Sequence, residues 1–211
     1  MDHTRLVGIY LAAGRSSRMG CSKLNLPLGN RFVGSMAFQA ALDSKLEAVI
    51  AVTRKEDSLH WLAPFSERKG WRLVECDKAN RGLSASLKAG VSAASQLGAS
   101  GVVVLLADQP NVTCWMINRL IEEFLVAPDY SYISYTHNGV SKPPILINKR
   151  IFLLIEDLEG DQGAREIIRG RESDSGKQII LESKECFFDV DTKEDYQFVK
   201  KMWQNIRGGE G

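Results

Sequence analysis

The feature that most limits what this chain can fold into is an alternation of two kinds of apolar segment. The runs 6–11, 46–53, 71–75 and 101–107 are short, rich in β-branched residues and without regular polar alternation, as strands covered on both faces read. Between them lie longer stretches with helical spacing. Residues 34–43 place Met36, Ala40 and Ala41 on one side, 83–97 repeat Leu83, Leu87, Ala94 and Leu97, and in 114–126 Ile117, Leu120, Ile121 and Phe124 form a stripe behind a Thr113 N-cap. Strand, helix, strand, helix implies βαβ crossovers and a Rossmann-like, three-layer α/β/α sandwich on a mostly parallel mixed sheet.

Past Pro128 the pattern changes. Residues 130–136 and 144–148 read as strands, antiparallel to one another, and Pro143-Pro144 requires an edge or a bulge. A helix over 165–169 and a strand over 177–181 follow. The last helix, 192–206, opens on the capping box Thr192-Lys193-Glu194-Asp195 and buries Tyr196, Val199 and Trp203. Trp61, Trp71 and Trp115 likewise fit packing positions. No repeat, linker or low-complexity tract interrupts the 211 residues, which suit a single domain over 1–211.

Charge and cysteine usage exclude several function classes. With 27 basic and 26 acidic residues the net charge is +1, which speaks against nucleic-acid binding through bulk charge and against a polybasic membrane module. Cys21, Cys76, Cys114 and Cys186 are widely spaced, as are the three histidines, so no zinc site is indicated; reduced thiols, several of them buried, are expected. No apolar run is long enough for a membrane span, and the leader before Leu6 is too weakly basic for a signal sequence. A cytoplasmic protein is expected.

In open α/β sheets ligands bind beyond the carboxyl ends of strands, and three such places carry polar chemistry. After the first strand comes Leu11-Ala12-Ala13-Gly14-Arg15-Ser16-Ser17-Arg18-Met19-Gly20-Cys21-Ser22-Lys23. Its small residues allow close backbone approach, Ser16 and Ser17 add hydroxyls, and Arg15, Arg18 and Lys23 add cations, as a polyphosphate cradle requires. It is neither a Walker A loop nor GxGxxG; the plainer alternative is a solvated turn with a charged rim. In Leu105-Leu106-Ala107-Asp108-Gln109-Pro110 a buried strand ends on an acid, able either to hold magnesium beside phosphates or to cap a turn. In Phe188-Asp189-Val190-Asp191-Thr192 two more acids precede a helix, where they could bind metal or complement the helix dipole. A cationic loop joined to acids at two other strand ends favours a magnesium–triphosphate.

The run 11–23 resembles the LAAGxSxRMGxxK signature of nucleotidyltransferases with a nucleotide-diphospho-sugar transferase (glycosyltransferase-A-like) fold. Asn80-Arg81-Gly82-Leu83-Ser84-Ala85-Ser86-Leu87, Leu106–Pro110, Gly160-Asp161-Gln162-Gly163-Ala164-Arg165 and Asp189–Asp195 are similar, in order, to motifs of the MobA-like enzymes. Among these the chain most resembles the molybdenum cofactor cytidylyltransferases and their purine-catabolism relatives. The resemblance implies magnesium-dependent transfer of CMP from CTP to the phosphate of molybdopterin, with release of pyrophosphate, in service of a xanthine dehydrogenase. It implies nucleotide binding by Leu11, Ala12, Ala13, Gly14, Arg15, Ser16, Arg18, Lys23, Gly82, Ser84 and Ser86, with Lys23, Arg18 and Asp108 catalytic. Asp108 and Asp191 would hold the metal, with Asp189 the other candidate beside Asp191. Asp161, Gly163 and Arg165 would face the acceptor. Ala12-Ala13-Gly14 resembles the cytidylyl rather than the guanylyl enzymes, which implies CTP. Ser141-Lys142-Pro143-Pro144 departs from a Gly-His-Pro common in the family; Lys142 could contact the acceptor phosphate or be a solvated edge-strand lysine. Two other readings stay open, a cytidylyltransferase for a sugar or polyol phosphate and a non-catalytic cofactor carrier.

Overall fold

The computed structural model describes residues 4–14, 19–169 and 175–208. Its strands are β1 (Leu6–Leu11), β2 (Pro27–Leu28), β3 (Arg31–Phe32), β4 (Ala48–Thr53), β5 (Trp71–Glu75), β6 (Gly101–Leu106), β7 (Tyr132–His137), β8 (Val140–Asn148) and β9 (Lys177–Ile180). Its α-helices are α1 (Val33–Leu42), α2 (Leu83–Gln96), α3 (Cys114–Val126), α4 (Phe152–Ile155), α5 (Ala164–Ile168) and α6 (Lys193–Gly208).

Seven strands form one sheet in the order β5-β4-β1-β6-β8-β7-β9. All run parallel except β8, which is antiparallel to both β6 and β7. Period-2 alternation divides β1 between the two faces. Leu6, Tyr10 and Ala12 join Phe38, Trp61, Phe65, Met116 and Leu120 under α1 and α3, while Val7, Ile9, Leu11 and Ala13 join Leu87, Val91 and Ala94 under α2. Close approach of α2 depends on Gly90, where an added Cβ would stand 2.5 Å from the Ile9 Cγ2. A third cluster, Leu28, Val33, Val190 and Val199, fastens α6 to the β2–β3 hairpin. The Tyr196 hydroxyl donates to the Pro27 carbonyl (2.6 Å) and the Trp203 indole to Asn111 (2.9 Å).

Most expected elements are present, with instructive differences. Residues 188–192, read as a strand end, follow the 3-10 turn Lys184–Phe187 and belong to no strand. Residues 71–75, read as covered on both faces, are the half-exposed edge strand β5, because among the described residues no further strand pairs beyond it. Pro143-Pro144 lies where β8 has left β6, at a register break between Ser134 and Tyr135 of β7, so the missing N–H groups cost no ladder bonds. The buried side of α1 is Val33, Ala37, Phe38 and Ala41; Met36 and Ala40 are only partly covered, because α1 packs against both the sheet and the Trp61 segment. Trp115 is 61% exposed: it sits in the first turn of α3, away from the Ile117–Phe124 stripe. Of the cysteines only Cys76 is buried. Thr113 caps α3 by accepting from the Met116 N–H (3.3 Å). No described helix is long and apolar enough to cross a membrane.

Chain order turns at β1, since β4 and β5 lie to one side of it and β6 to the other. The crevice between the carboxyl ends of β1 and β6 is therefore the topological switch point, where doubly wound sheets bind ligands.

Candidate active site

At that crevice the backbone runs on past the strands in register: the Ala12 N–H donates to Val52 O (2.9 Å) and the Ala107 N–H to Leu11 O (3.1 Å). Asp108 follows at once, and its carbonyl accepts from the Val190 N–H (2.9 Å). That bond brings the 188–192 segment to the end of β6. Lys23 arrives from a 3-10 turn, Lys23–Asn25, whose Asn25 amide donates to Ser58 O (2.8 Å) and accepts from the Trp61 N–H (3.0 Å). Leu24 beside it is buried, so the turn is anchored by packing as well as by hydrogen bonds.

These three segments converge on one contact. The Lys23 ammonium donates to Asp108 Oδ2 at 2.7 Å and to Asp191 Oδ1 at 2.8 Å, with side-chain exposures of 8% for Lys23, 25% for Asp108 and 47% for Asp191. Burial alone would lower the Lys23 pKa, but Asp108 and then Asp191 outweigh it and hold the ammonium above the usual lysine value. Asp189 has another partner, accepting from the buried Gln109 amide (2.8 Å). Desolvation, then the charge of Asp108, push the Asp189 carboxyl up to about 6. Asp195 accepts from the N–H groups of Asp191 (3.1 Å) and Thr192 (2.8 Å), while the Thr192 hydroxyl accepts from the Asp195 N–H (3.1 Å). The capping box thus starts α6 and also fixes the backbone that carries Asp191.

On one side of this triad opens a cavity of about 540 Å³ lined by Leu11 to Gly14, Lys23, Gly82, Ser86, Asp108 and Asp161, among others, a size that suits a nucleotide. Gly82 is required there: its φ is +108°, and a Cβ would lie 2.2 Å from the Gly160 carbonyl oxygen. The Ser84 N–H donates to that oxygen (3.0 Å), which ties the 160–163 turn to the start of α2. Ser84 is buried off the cavity wall and Ser86 is on it. Arg15, Ser16 and Arg18 lie outside the described residues.

The residues assigned to the acceptor do not stand together. Asp161 faces the first cavity, and Lys142 lines a second groove with Asp189 and Asp191. Gly163 caps α5 and Arg165 lies within it; neither lines a described cavity. Sequence reasoning missed Leu24 and Ala79 on the cavity wall, and quoted Asn80, Arg81 and Gly160 without assigning them a role. Their signal was the Gly82 between a strand and a helix, which marks a turn folded over a ligand crevice.

The donor set fits a hard divalent cation. Asp108 and Asp191 are oxygen ligands that already bracket one positive charge, and magnesium takes one or two carboxylates, filling its shell with phosphate oxygens and water. Among the described residues no cluster of three or more His, Cys, Asp or Glu could hold a metal through protein ligands alone.

Comparison with known proteins follows the same lines. The family model for the MobA-like NTP transferase domain matches residues 8–177. The chain is 37% identical over 203 residues to the purine catabolism protein PucB of Bacillus subtilis (strain 168), covering 93% of this chain and 96% of PucB. The crystal structure of Rv0371c from Mycobacterium tuberculosis H37Rv superposes with a TM-score of 0.79 at 25% identity, over 94% of this chain and 98% of that one. A nucleotidyl transferase from Methanothermobacter (Mth528) gives 0.76 at 22% identity, over 97% and 100%.

Proposed function

The chain belongs to the MobA-like NTP transferase family, and from that premise we propose that it transfers CMP from CTP to the phosphate of a molybdopterin-type acceptor. Pyrophosphate is released, and the product serves a xanthine dehydrogenase-type enzyme of purine catabolism. The observation that carries this reading is the Lys23 ammonium held between Asp108 and Asp191 at the mouth of the cavity. A triphosphate entering there meets a cation that can leave the carboxylates for phosphate oxygens. The name of PucB supports the metabolic setting, and the Ala12-Ala13-Gly14 run supports CTP.

Asp108 and Asp191 would hold magnesium, which when bound neutralises charge on the phosphates and the departing pyrophosphate. The chain's own residues do the rest by positioning and charge. The Ala12–Gly14 backbone and the Gly82 turn shape the nucleotide cavity, and Lys23 draws the phosphates to the mouth. An acceptor phosphate oxygen then attacks the α-phosphorus in line as the bond to the bridging oxygen of pyrophosphate breaks. A phosphate monoester is already ionised near neutral pH, with a second pKa of about 6, so the attack needs no strong general base. The reading assigns the protein to the cytoplasm, where its four cysteines remain thiols.

Pyrophosphate release from purified protein with magnesium, a molybdopterin-type acceptor and CTP, GTP, ATP or UTP in turn tests the proposal. Release with CTP is expected, and Lys23→Ala and Asp108→Ala should each lose about 10²–10³ in kcat while remaining folded. Silence with every nucleotide from protein that still binds the pterin would instead mark a carrier.

A further inference from the structure

Around α4 the charges are arranged symmetrically and with opposite sign. The segment reads Lys149-Arg150-Ile151-Phe152-Leu153-Leu154-Ile155-Glu156-Asp157, with two cations before five apolar residues and two anions after them, centred on Leu153. It folds as one helical stretch. The 3-10 turn Lys149–Ile151 runs into α4, and the N–H groups of Glu156, Asp157 and Leu158 continue it by donating to the carbonyls of Leu153, Leu154 and Ile155. Ile151, Ile155 and Leu158, at helical spacing, are buried in the cluster that also holds Leu87 and Val91 of α2. Lys149, Arg150, Leu153, Leu154, Glu156 and Asp157 are exposed, Leu153 at 80%.

Such a face is complementary to itself. The basic and acidic pairs stand six to eight positions apart, too far for the i,i+3 or i,i+4 contacts that would neutralise them within one helix. Among the described residues Lys149, Glu156 and Asp157 have no ion-pair partner, and Arg150 has only a 3.8 Å contact with the fully exposed Asp129. A second copy turned end for end about a two-fold axis near Leu153 lays its acids on Lys149 and Arg150. Its own lysine and arginine then lie on Glu156 and Asp157, and the leucines meet at the centre. Residue i contacts j while j contacts i, as an isologous interface requires. Val126 is as exposed as Leu153, at 84%, but the charged residues within four positions of it are Glu122, Glu123 and Asp129, so two copies meeting there would repel.

We propose that this chain forms a two-fold symmetric homodimer through residues 149–157, with Leu153 and Leu154 as its apolar centre and the two charge pairs fixing an antiparallel register. One helical segment of this length covers less than the roughly 800 Å² per partner of a standard interface. The dimer is therefore reversible, with a dissociation constant on the order of 10⁻⁵ M. The nucleotide cavity stays open in it, because the cavity lining in this stretch begins at Gly160, beyond the acids. The dimer does not depend on which nucleotide or acceptor that cavity takes.

Sedimentation velocity of the full chain from about 1 to about 500 µM, a range that brackets this constant, reads the association. Two charge-reversed proteins test its cause. Lys149→Glu/Arg150→Glu makes both ends of the segment acidic, and Glu156→Lys/Asp157→Lys makes both basic; all four positions are exposed, and matched circular dichroism checks the fold. The wild-type chain should pass from monomer to dimer across the range and associate severalfold more weakly in about 0.5 M NaCl. Each reversed protein alone should associate about tenfold more weakly or not at all. An equimolar mixture of the two should dimerise again, a rescue that a folding defect does not produce. Leu153→Ser should weaken the dimer about tenfold and leave its salt dependence in place. A wild-type chain monomeric throughout, a dimer that both reversed proteins keep when alone, or a mixture that stays monomeric overturns the proposal. Should either reversed protein lose its fold, Leu153→Ser decides, and undiminished association in it overturns the interface.

Discussion

Replacing Lys23 with methionine isolates what the ion triad contributes. Methionine is close to lysine in length and suits the buried stem, since the Lys23 side chain is 8% exposed. What disappears is the charge between two carboxylates that had stood 2.7 and 2.8 Å from one nitrogen. The two oxygens then face each other across about 5 Å, where repulsion is roughly 3 kcal/mol at an effective dielectric of 20 and under 1 kcal/mol in water. Because Asp191 is 47% exposed, the loss should fall between these limits, at about 1–3 kcal/mol, short of the 3–5 kcal/mol typical of a broken pair in a dry core. Urea denaturation in EDTA measures it. Two further results are expected: Lys23→Met/Asp108→Asn recovers most of the loss, and millimolar magnesium stabilises Lys23→Met more than the wild-type chain, whose ammonium competes for the same oxygens. Wild-type stability for Lys23→Met in EDTA, or equal stabilisation of both proteins by magnesium, would refute the account of the triad as one cation position shared by two carboxylates.

Asp189 has a pH signature. Its folded pKa of about 6 lies above the usual 3.8, so the folded state binds more protons and this group's contribution to stability falls as pH rises from about 4 to 6. The residue is exposed, and screening should leave about 1 kcal/mol; denaturation of metal-free Asp189→Asn at pH 4 and pH 7 should show a smaller fall than the wild-type chain. Gly82→Ala forces an L side chain to φ +108° and a Cβ against the Gly160 carbonyl, which should cost about 2–4 kcal/mol and weaken CTP binding, read by thermal melts and titration. Asp195→Ala removes the acceptor for the Asp191 and Thr192 N–H groups; about 1 kcal/mol of stability should go, with a larger fractional loss of kcat than Thr192→Ala, whose lost bond leaves Asp191 held.

Patterns set by periodicity were legible from the residues alone. The continuous apolar runs of β1, β4 and β6 identified buried parallel strands because both faces of each are covered. Pro143-Pro144 announced an edge or a bulge because neither residue can donate to a ladder, and the structure has the bulge. All three members of the triad stood out, Lys23 in the loop after β1, Asp108 just past β6 and Asp191 before the last helix, although 188–192 follows a 3-10 turn and not the strand the sequence suggested. What escaped reading depends on how distant segments meet. Nothing local distinguishes Asp189 from Asp191; they part only because Gln109 is placed to take the first and Lys23 the second. Lys184 and Phe198 carry no motif, and they reach the groove beside Asp191 only once α6 has folded back over β2 and β3. Trp115 was misread because an aromatic residue one position off a helical stripe looks the same in sequence as one within it.

The hydrogen bond from the Val190 N–H to the Asp108 carbonyl bears on how such a protein can be re-engineered. The family match ends at residue 177, yet one short segment beyond it carries both a jaw of the charge clamp, Asp191, and the Phe188–Phe198 ring pair that lines the second groove. On the proposed reading, one segment therefore serves both the charge clamp and the groove beside it. A tail grafted from a relative to alter that groove would have to dock its own valine-like amide on Asp108 before any nucleotide could react, so successful chimeras should be those that transplant 188–199 as a block together with its β2–β3 seat.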